Sequence, residues 1–456
     1  MFIVVSPAMD APKIVIEPPG PKAREIIEKD RNLIMQSFVR WYPLVVDTAE
    51  GALIKDVDGN TYIDLNSGLA VVNLGHKHPR VVEAVKRQVE KLVHYSLTDF
   101  YYEEAVKGAE KLLSVAPISD GKVFYTNSGA ESVEGVLKIA RGYFQNKRPY
   151  VIAFLGAFHG RTYGAMSLTA SKPVQRKGFS PLVPGIIHVP YPYPYRCPFR
   201  VETEEECGEA VIGFLEEWIF GKLVDPSEVS LIIAEPVQGE GGYIVPPRNF
   251  FPALRRLADK HGILLASDEV QAGFGRTGKW FGIQHWGVEP DLVAMAKAIA
   301  NGLPLGAVVG KKEVMNLPPG SHANTFGGNP VALAAMSAVI DTMKSEKLPE
   351  RALRLGEEVK KYFKDLASEV ELIGDVRGLG FMIGVELVKS RETKEPAKKE
   401  LAEVLMRSFK KGILVIGAGV STIRIAPPLT IPEDLLFKAI EIIGETIREV
   451  SREART

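Results

Sequence analysis

The sequence predicts an α/β protein built on a mostly parallel sheet, followed by a smaller α+β unit. Three observations predict it. From about residue 77 to 345, short apolar runs alternate with helical patterns, and each run ends in a Gly- or Asp-rich turn. Beyond about residue 346 the pattern changes to long amphipathic helices separated by a few strands. The chain has 456 residues, 46% apolar and 25% charged, which suits two or three domains around a sizeable core.

The elements follow in order. Residues 1–45 open with a Pro-rich lead-in, "APKIVIEPPGPKAREIIEKD", and a short helix. "GALIKDVDGNTYIDLNSG" has two apolar runs around Asp-Gly-Asn, a hairpin signal. The runs "KVFYTN", "YVIAFLGA", "GIIHVPY", "VSLIIAEP", "GILLASDE" and "DLVAMAK" read as buried strands, separated by helices such as "ESVEGVLKIARGYF". In the tail, "LPERALRLGEEVKKYFKDLASEV" and "PEDLLFKAIEIIGETIREVSREA" are helices, with "LIGDVRGLGFMIGVELV" and "TIRIAPPL" as strands between them. The expected division is an N-terminal segment (1–76) packed with the small domain, a large domain (77–345) and a C-terminal small domain (346–456).

Composition excludes several function classes. Lys plus Arg equal Asp plus Glu at 56 each, so the basic excess that nucleic acid or an anionic membrane demands is missing. The two cysteines, Cys197 and Cys207, rule out a disulfide scaffold or a tetrahedral cysteine metal cluster. They are expected to be free thiols in a reducing compartment, with one local disulfide as the alternative. "MFIVVSPAMDAPK" lacks the length and basic lead of a signal peptide, and no apolar run approaches the roughly 18 residues of a membrane span. A soluble, cytoplasmic protein without a metal is the expectation.

In open parallel α/β sheets, ligands bind beyond the carboxyl ends of the strands. Lys297 stands there after "DLVAMA", where a lysine is disfavoured unless paired, neutral or chemically used. "NSGAESVE" turns from a strand into a helix, so Ser128, Gly129 and Ala130 form a phosphate-sized anion site. Ser-x-x-Glu is also a capping box, and a plain helix start explains it too. "FHGRT" brings Phe158, His159 and Arg161 to another strand end. "EPVQGEGG" brings Glu235 and Glu240, and "DEVQAG" brings Asp268 and Gln271. "GFGRTG" fits G-x-G-x-x-G but is followed by a Gly- and Pro-broken stretch rather than a helix, so it is not a dinucleotide site. A strand-end lysine, a carboxylate for a ring nitrogen, an anion-binding helix end and a covering aromatic together describe a pyridoxal phosphate site.

At these residues the chain resembles the class III pyridoxal phosphate aminotransferases, the family of 4-aminobutyrate, ornithine and acetylornithine aminotransferases. "NSGAESVE", "FHGRT", "EPVQGEGG", "DEVQAGFGRTGKWF", "MAKAIANGLPLGAV", "TFGGNP" and "IRIAPPL" occur in the family's order over about residues 45–440. The resemblance implies fold type I, with a seven-stranded, mostly parallel sheet in the large domain and a small α/β domain. It implies that Lys297 carries the cofactor as a Schiff base and Asp268 partners its ring nitrogen. Gln271 would bond the ring's phenolic oxygen, Val270 and Phe158 would pack its faces, and Gly129 and Ala130 would hold its phosphate. Thr325 matches a phosphate ligand supplied by the neighbouring subunit, which implies a homodimer or a dimer of dimers. Ala272 and Asn324 depart from the family's usual residues, away from the implied chemistry.

The resemblance also implies two alternating substrates, an ω-amino donor and 2-oxoglutarate. Arg424 matches the arginine that takes glutamate's α-carboxylate, and Glu240 the acid that pairs with it otherwise. A buried arginine left unpaired would cost roughly 3–5 kcal/mol. Arg161 would hold the distal carboxylate. Thr98 and Asp99 fall in a polar break near the neighbour's site, where Asp99 would bind the α-ammonium of ornithine or lysine; an N-cap reading of Asp99 is equally good. The expected reaction is ω-amino transfer from ornithine, with 4-aminobutyrate as a close second. Amino-acid racemases resemble the chain too, and Glu240 in place of their common Asp favours transfer.

Overall fold

The computed structural model describes residues 11–454, so the apolar start of the N-terminal lead-in lies outside the described residues. The expected helix after the lead-in runs Pro21–Leu33, with proline at its start, where no backbone donor is needed. Strands β1 (Val46–Glu50), β2 (Leu53–Asp56) and β3 (Thr61–Asp64) form an antiparallel meander. The predicted turn joins β2 to β3. Asp56 Oδ1 accepts from the backbone N–H of Asp58 (3.0 Å) and of Asn60 (2.8 Å).

The large sheet contains β4 (Gly121–Thr126), β5 (Tyr150–Phe154), β6 (Ile186–Val189), β7 (Val229–Ala234), β8 (Leu264–Asp268), β9 (Leu292–Met295) and β10 (Gly306–Lys311). Its order is β4-β10-β9-β8-β7-β5-β6. Neighbours from β9 to β6 pair in parallel, and β10 runs antiparallel to both β4 and β9. The seven-stranded, mostly parallel sheet is thus present. The first six strands coincide with the six apolar runs, and β10 is the strand that the runs did not single out.

Burial explains why those runs lack a polar alternation. Every residue of β7, β8 and β9 is buried. Successive residues still face opposite ways, as the strand period requires. Leu292 and Ala294 pack on the side of the helix Gly129–Tyr143, while Val293 and Met295 pack on the side of the helix Pro330–Ser345.

The tail holds the two predicted helices, Leu348–Glu369 and Glu433–Glu453, and a third, Lys398–Lys410. Strands β11 (Ile373–Leu379) and β12 (Met382–Leu387) form a hairpin. β13 (Ile413–Leu414) leaves this region and pairs in parallel with β3. β14 (Ile416–Ala418) and β15 (Thr422–Ile425) complete a four-stranded sheet ordered β11-β12-β15-β14. Among the described residues, no helix is long and apolar enough to cross a membrane.

The cysteines differ from expectation. Cys197 and Cys207 form a disulfide rather than standing as free thiols. The helix Glu204–Phe214 folds back on the turn at Pro194–Arg196 and brings the two Cα atoms to 6.0 Å, within disulfide reach. The cysteines therefore no longer argue for a reducing compartment.

Candidate active site

The carboxyl ends of β5, β7, β8 and β9 open on a cavity of about 470 Å³. Phe158, His159 and Arg161 follow β5; Glu235 and Glu240 follow β7; Asp268, Val270 and Gln271 end β8; Lys297 follows β9; all line it. Ser128, Gly129 and Ala130 enter the same cavity from the end of β4. A larger groove, about 690 Å³, runs between the helices Pro79–Lys91, Glu103–Leu113 and Pro330–Ser345, and none of these residues lines it.

Lys297 begins a short 3₁₀ turn with φ at +42°, a strained conformation for a side chain other than glycine. It is partly open to the cavity, yet enough protein surrounds it to desolvate the ammonium group. Desolvation, helped by the nearby Arg424 charge, lowers its pKa from 10.5 to about 8. The lysine at the end of this apolar run is thus an amine that is readily neutral.

Asp268 is buried at the end of β8. Its Oδ1 accepts from the N–H of Val270 at 3.0 Å, and its Oδ2 lies 2.7 Å from Nδ1 of buried His159. Burial alone would lower the His159 pKa, but the Asp268 hydrogen bond and charge outweigh it and raise the value. Nε2 of His159 is buried without a partner among the described residues.

The helix Gly129–Tyr143 begins at the cavity, where the sequence suggested an anion site. Ser128 Oγ accepts from the N–H of Glu131 at 3.2 Å, and Glu131 reaches back to the N–H of Asn127 at 2.7 Å, so the capping reading holds as well. The cap does not engage the N–H groups of Gly129 and Ala130, and both residues line the cavity. Gly129 has a steric reason: a Cβ there would lie 2.7 Å from Cγ1 of Val270. The glycine lets Val270 close over the helix end.

Glu235 pins two loops at once. It accepts from the N–H of Phe158 and of Gly239, both at 2.9 Å. Desolvation raises its pKa to about 7, with His159 opposing and Asp268 adding to the shift. Gln271 Oε1 accepts from the Tyr243 hydroxyl at 2.8 Å. The Tyr243 ring also faces the Arg424 guanidinium at 5.3 Å. Arg424 is buried on β15 and approaches the cavity through Glu240, whose Oε2 is 3.6 Å away. Lys172 contacts Oε1 of the same carboxylate at 2.6 Å. Arg161 is exposed at the cavity rim, 5.7 Å from the Phe158 ring.

Four predicted residues do not line this cavity: Arg424 lies behind Glu240, and three others are further off. Thr325, Thr98 and Asp99 are exposed. They lie together, because Thr98 Oγ1 donates to the carbonyl of Asn324 at 2.8 Å. Asp99 is not an N-cap: the next helix is Glu103–Leu113 and its N-cap is Tyr102. Sequence reading missed Lys172, which lies in no quoted motif, and Tyr243, which directly follows "EPVQGEGG". "SKP" shows a lone surface-type lysine, and the tyrosine after "EGG" reads as core.

The "GFGRTG" run serves the core. Arg276 is fully buried and donates Nη1 to the carbonyls of Phe381 (3.2 Å) and Pro427 (2.5 Å), and Nη2 to Asn73 (2.5 Å).

The chain is similar in sequence and fold to known proteins. The model of the family "Aminotransferase class-III" matches residues 35–447. An alanine/serine racemase of Pyrococcus horikoshii is 40% identical, covering 97% of this chain and 94% of its own length. A 4-aminobutyrate aminotransferase of Mycobacterium tuberculosis is 41% identical over 94% of this chain and 97% of its own. The crystal structure of an amine transaminase from an uncultivated Pseudomonas species, bound to pyridoxal phosphate, superposes with a TM-score of 0.84 at 30% identity, covering 92% of this chain and 98% of that one. The seven-stranded, mostly parallel sheet is that of fold type I. The chain belongs to the class III aminotransferases, which use pyridoxal phosphate.

Proposed function

We propose that the protein is an ω-aminotransferase that moves the terminal amino group of ornithine, or of a similar ω-amino acid such as 4-aminobutyrate or lysine, to 2-oxoglutarate. The products are a semialdehyde and glutamate. The observation that carries this reading is the buried Arg424 facing the mobile-length carboxylate of Glu240 at 3.6 Å. With an ω-amino donor, Glu240 neutralises Arg424. With glutamate, Glu240 turns aside to Lys172 and Arg424 takes the α-carboxylate. One cavity thereby serves two charge patterns.

The residues present suit the cofactor. The first N–H groups of the helix Gly129–Tyr143 and Ser128 would bind its phosphate, with Thr325 of a neighbouring chain. Phe158 and Val270 would hold the ring between them, and Gln271 would bond its phenolic oxygen. Asp268, oriented by the His159 and Val270 donors, would pair with the ring nitrogen. When bound, pyridoxal phosphate supplies an aldehyde that carries the amino group and a ring that accepts the electron pair left on the substrate carbon. Lys297, with its lowered pKa, would anchor the cofactor and then move a proton at Nζ. Arg161 would orient the distal carboxylate.

Thr98, Asp99 and Thr325 fit a homodimer or a dimer of dimers in which each chain completes its neighbour's site. Their adjacency on an exposed surface beside Tyr95, Phe100, Tyr101 and Phe326 supports this reading. Asp99 would then bind the α-ammonium of ornithine, a group that 4-aminobutyrate lacks.

A second reading has its own observation: the 40% identical relative from Pyrococcus horikoshii is an alanine/serine racemase. An amino-donor panel with 2-oxoglutarate, run beside a test for loss of optical rotation, separates the two. Glutamate formation that requires the keto acid supports transfer. Loss of chirality without an acceptor overturns it in favour of racemisation.

A further inference from the structure

Arg377, on β11, stands outside the cavity and touches neither Glu240 nor Arg424 by hydrogen bond. Its Nε and Nη2 donate to the carbonyl of Gly242, at 3.1 and 2.6 Å. Nη2 also donates to Thr422 Oγ1 at 3.1 Å. Nη1 is held by Asp375 and by buried Glu386, both at 2.7 Å. Tyr193 lies against the guanidinium at 4.9 Å. Gly242 follows Glu240 by two residues, and Thr422 precedes Arg424 by two on β15.

One guanidinium therefore ties the backbone just beyond Glu240 to the Thr422 side chain on the strand that carries Arg424. A second tie supports the first: the N–H of Gly419, between β14 and β15, donates to the Glu240 carbonyl at 2.8 Å. Gly242 is suited to the arrangement. Its φ of +131° excludes ordinary side chains, and a Cβ there would fall 3.2 Å from Arg377 Nη2. A bidentate arginine to one carbonyl fixes direction as well as distance, which a lysine cannot do.

We propose that Arg377 is a positioning residue that sets the spacing of Glu240 from Arg424 and so tunes the choice between ω-amino donors and glutamate. The proposal rests on the reading of that pair given above. Loosening the tie leaves Glu240 freer to leave Arg424, so the guanidinium is more often unpaired when an ω-amino donor binds. The effect falls on the ω-amino half-reaction, not on cofactor binding.

The test uses holoenzyme and the ratio of kcat/KM for the better of ornithine and 4-aminobutyrate to kcat/KM for glutamate. Arg377→Lys is expected to lower this ratio by about fivefold, the effect of one charge-assisted hydrogen bond, with the absorbance of the bound cofactor unchanged. In a Glu240→Gln background the same change is expected to have no further effect, because the group it positions is gone. Thr422→Val removes a single acceptor while keeping the side-chain shape, and is expected to lower the ratio by about twofold to threefold. It decides the matter if Arg377→Lys fails to fold. A ratio unmoved by both variants, or a fall that persists undiminished in Glu240→Gln, overturns the role of Arg377. A ratio unmoved by Glu240→Gln alone overturns the two-position reading of Glu240, and the proposal with it.

Discussion

The Glu240 carboxylate sits 3.6 Å from the Arg424 guanidinium, and its other oxygen is held at 2.6 Å by Lys172. A half-buried acid thus spans a buried cation and a partly exposed one. Surface ion pairs contribute little, but a cation as buried as Arg424 is costly when left alone.

That relation yields the first prediction. Glu240→Gln leaves Arg424 uncompensated whenever the donor has no carboxylate near it. The kcat/KM for ω-amino donors is expected to fall by about tenfold to a hundredfold, while that for glutamate holds or rises. Half-reaction kinetics measured separately with each donor check it. Equal losses on both donors contradict the role.

The second prediction concerns donor choice. Asp99→Ala is expected to raise the ornithine KM by about tenfold and leave 4-aminobutyrate unaffected, since only ornithine carries the second ammonium. An unchanged ornithine KM removes Asp99 from the site.

Lys297 gives the third. In cofactor-free protein, its reductive alkylation is expected to reach half its maximum near pH 8, where exposed lysines remain protonated. Peptide mass mapping against pH reads this directly. Borohydride treatment of holoenzyme is expected to leave the cofactor on the peptide containing Lys297, and its appearance on any other lysine refutes the assignment.

Glu269 provides a test of stability. It is buried, accepts from the N–H groups of Gly282 (2.7 Å) and Ile283 (2.8 Å), and desolvation raises its pKa from 4.5 to about 7. The folded state therefore holds a proton that the unfolded state has lost between these two values. This contribution is full below pH 4.5 and is lost as the pH rises through about 7. It amounts to about 3 kcal/mol at most. Glu269→Gln is expected to lose less Tm between pH 5 and pH 8 than the wild type, even if it is less stable throughout. Parallel Tm curves would show that Glu269 does not titrate in this range.

The disulfide offers the last. Cys197 and Cys207 are separated by 10 positions in the chain, and closing so short a loop contributes about 3 kcal/mol. A dithiol reductant, or replacement of both cysteines by serine, is expected to lower Tm. Intact-mass measurement after alkylation without reductant checks that no free thiol is present.

Much of the candidate site was legible from local pattern. Apolar runs that lack alternation demand cover on both faces, so they announce a parallel sheet, and its strand ends then gather Lys297, Asp268, Gly129 and Phe158 with no further information. Lys297 and Asp268 follow adjacent parallel strands, β9 and β8, and any correct sheet brings them together. The strand β10 escaped notice because its reversal relative to β9 depends on a chain turn, "KAIANGLPLG", whose direction no periodicity encodes.

Other relations belong to the tertiary structure alone. The sequence by itself determined which residue types end each strand, because that depends on neighbours a few positions away. Only the fold decided that Glu240 has Lys172 as a second cation, that Arg377 bridges Gly242 and Thr422, and that Cys197 meets Cys207. Lys172 and Glu240 are 68 positions apart, and Arg377 and Gly242 are 135 apart. Contacts at such separation arise from how sheets and helices pack, and nothing in a local run of residues specifies a hydrogen bond across them. The fold also left Thr98, Asp99 and Thr325 exposed on the chain's own surface rather than lining the strand-end cavity, beside the end of β4, where Asn324 donates to the Tyr125 carbonyl at 2.9 Å.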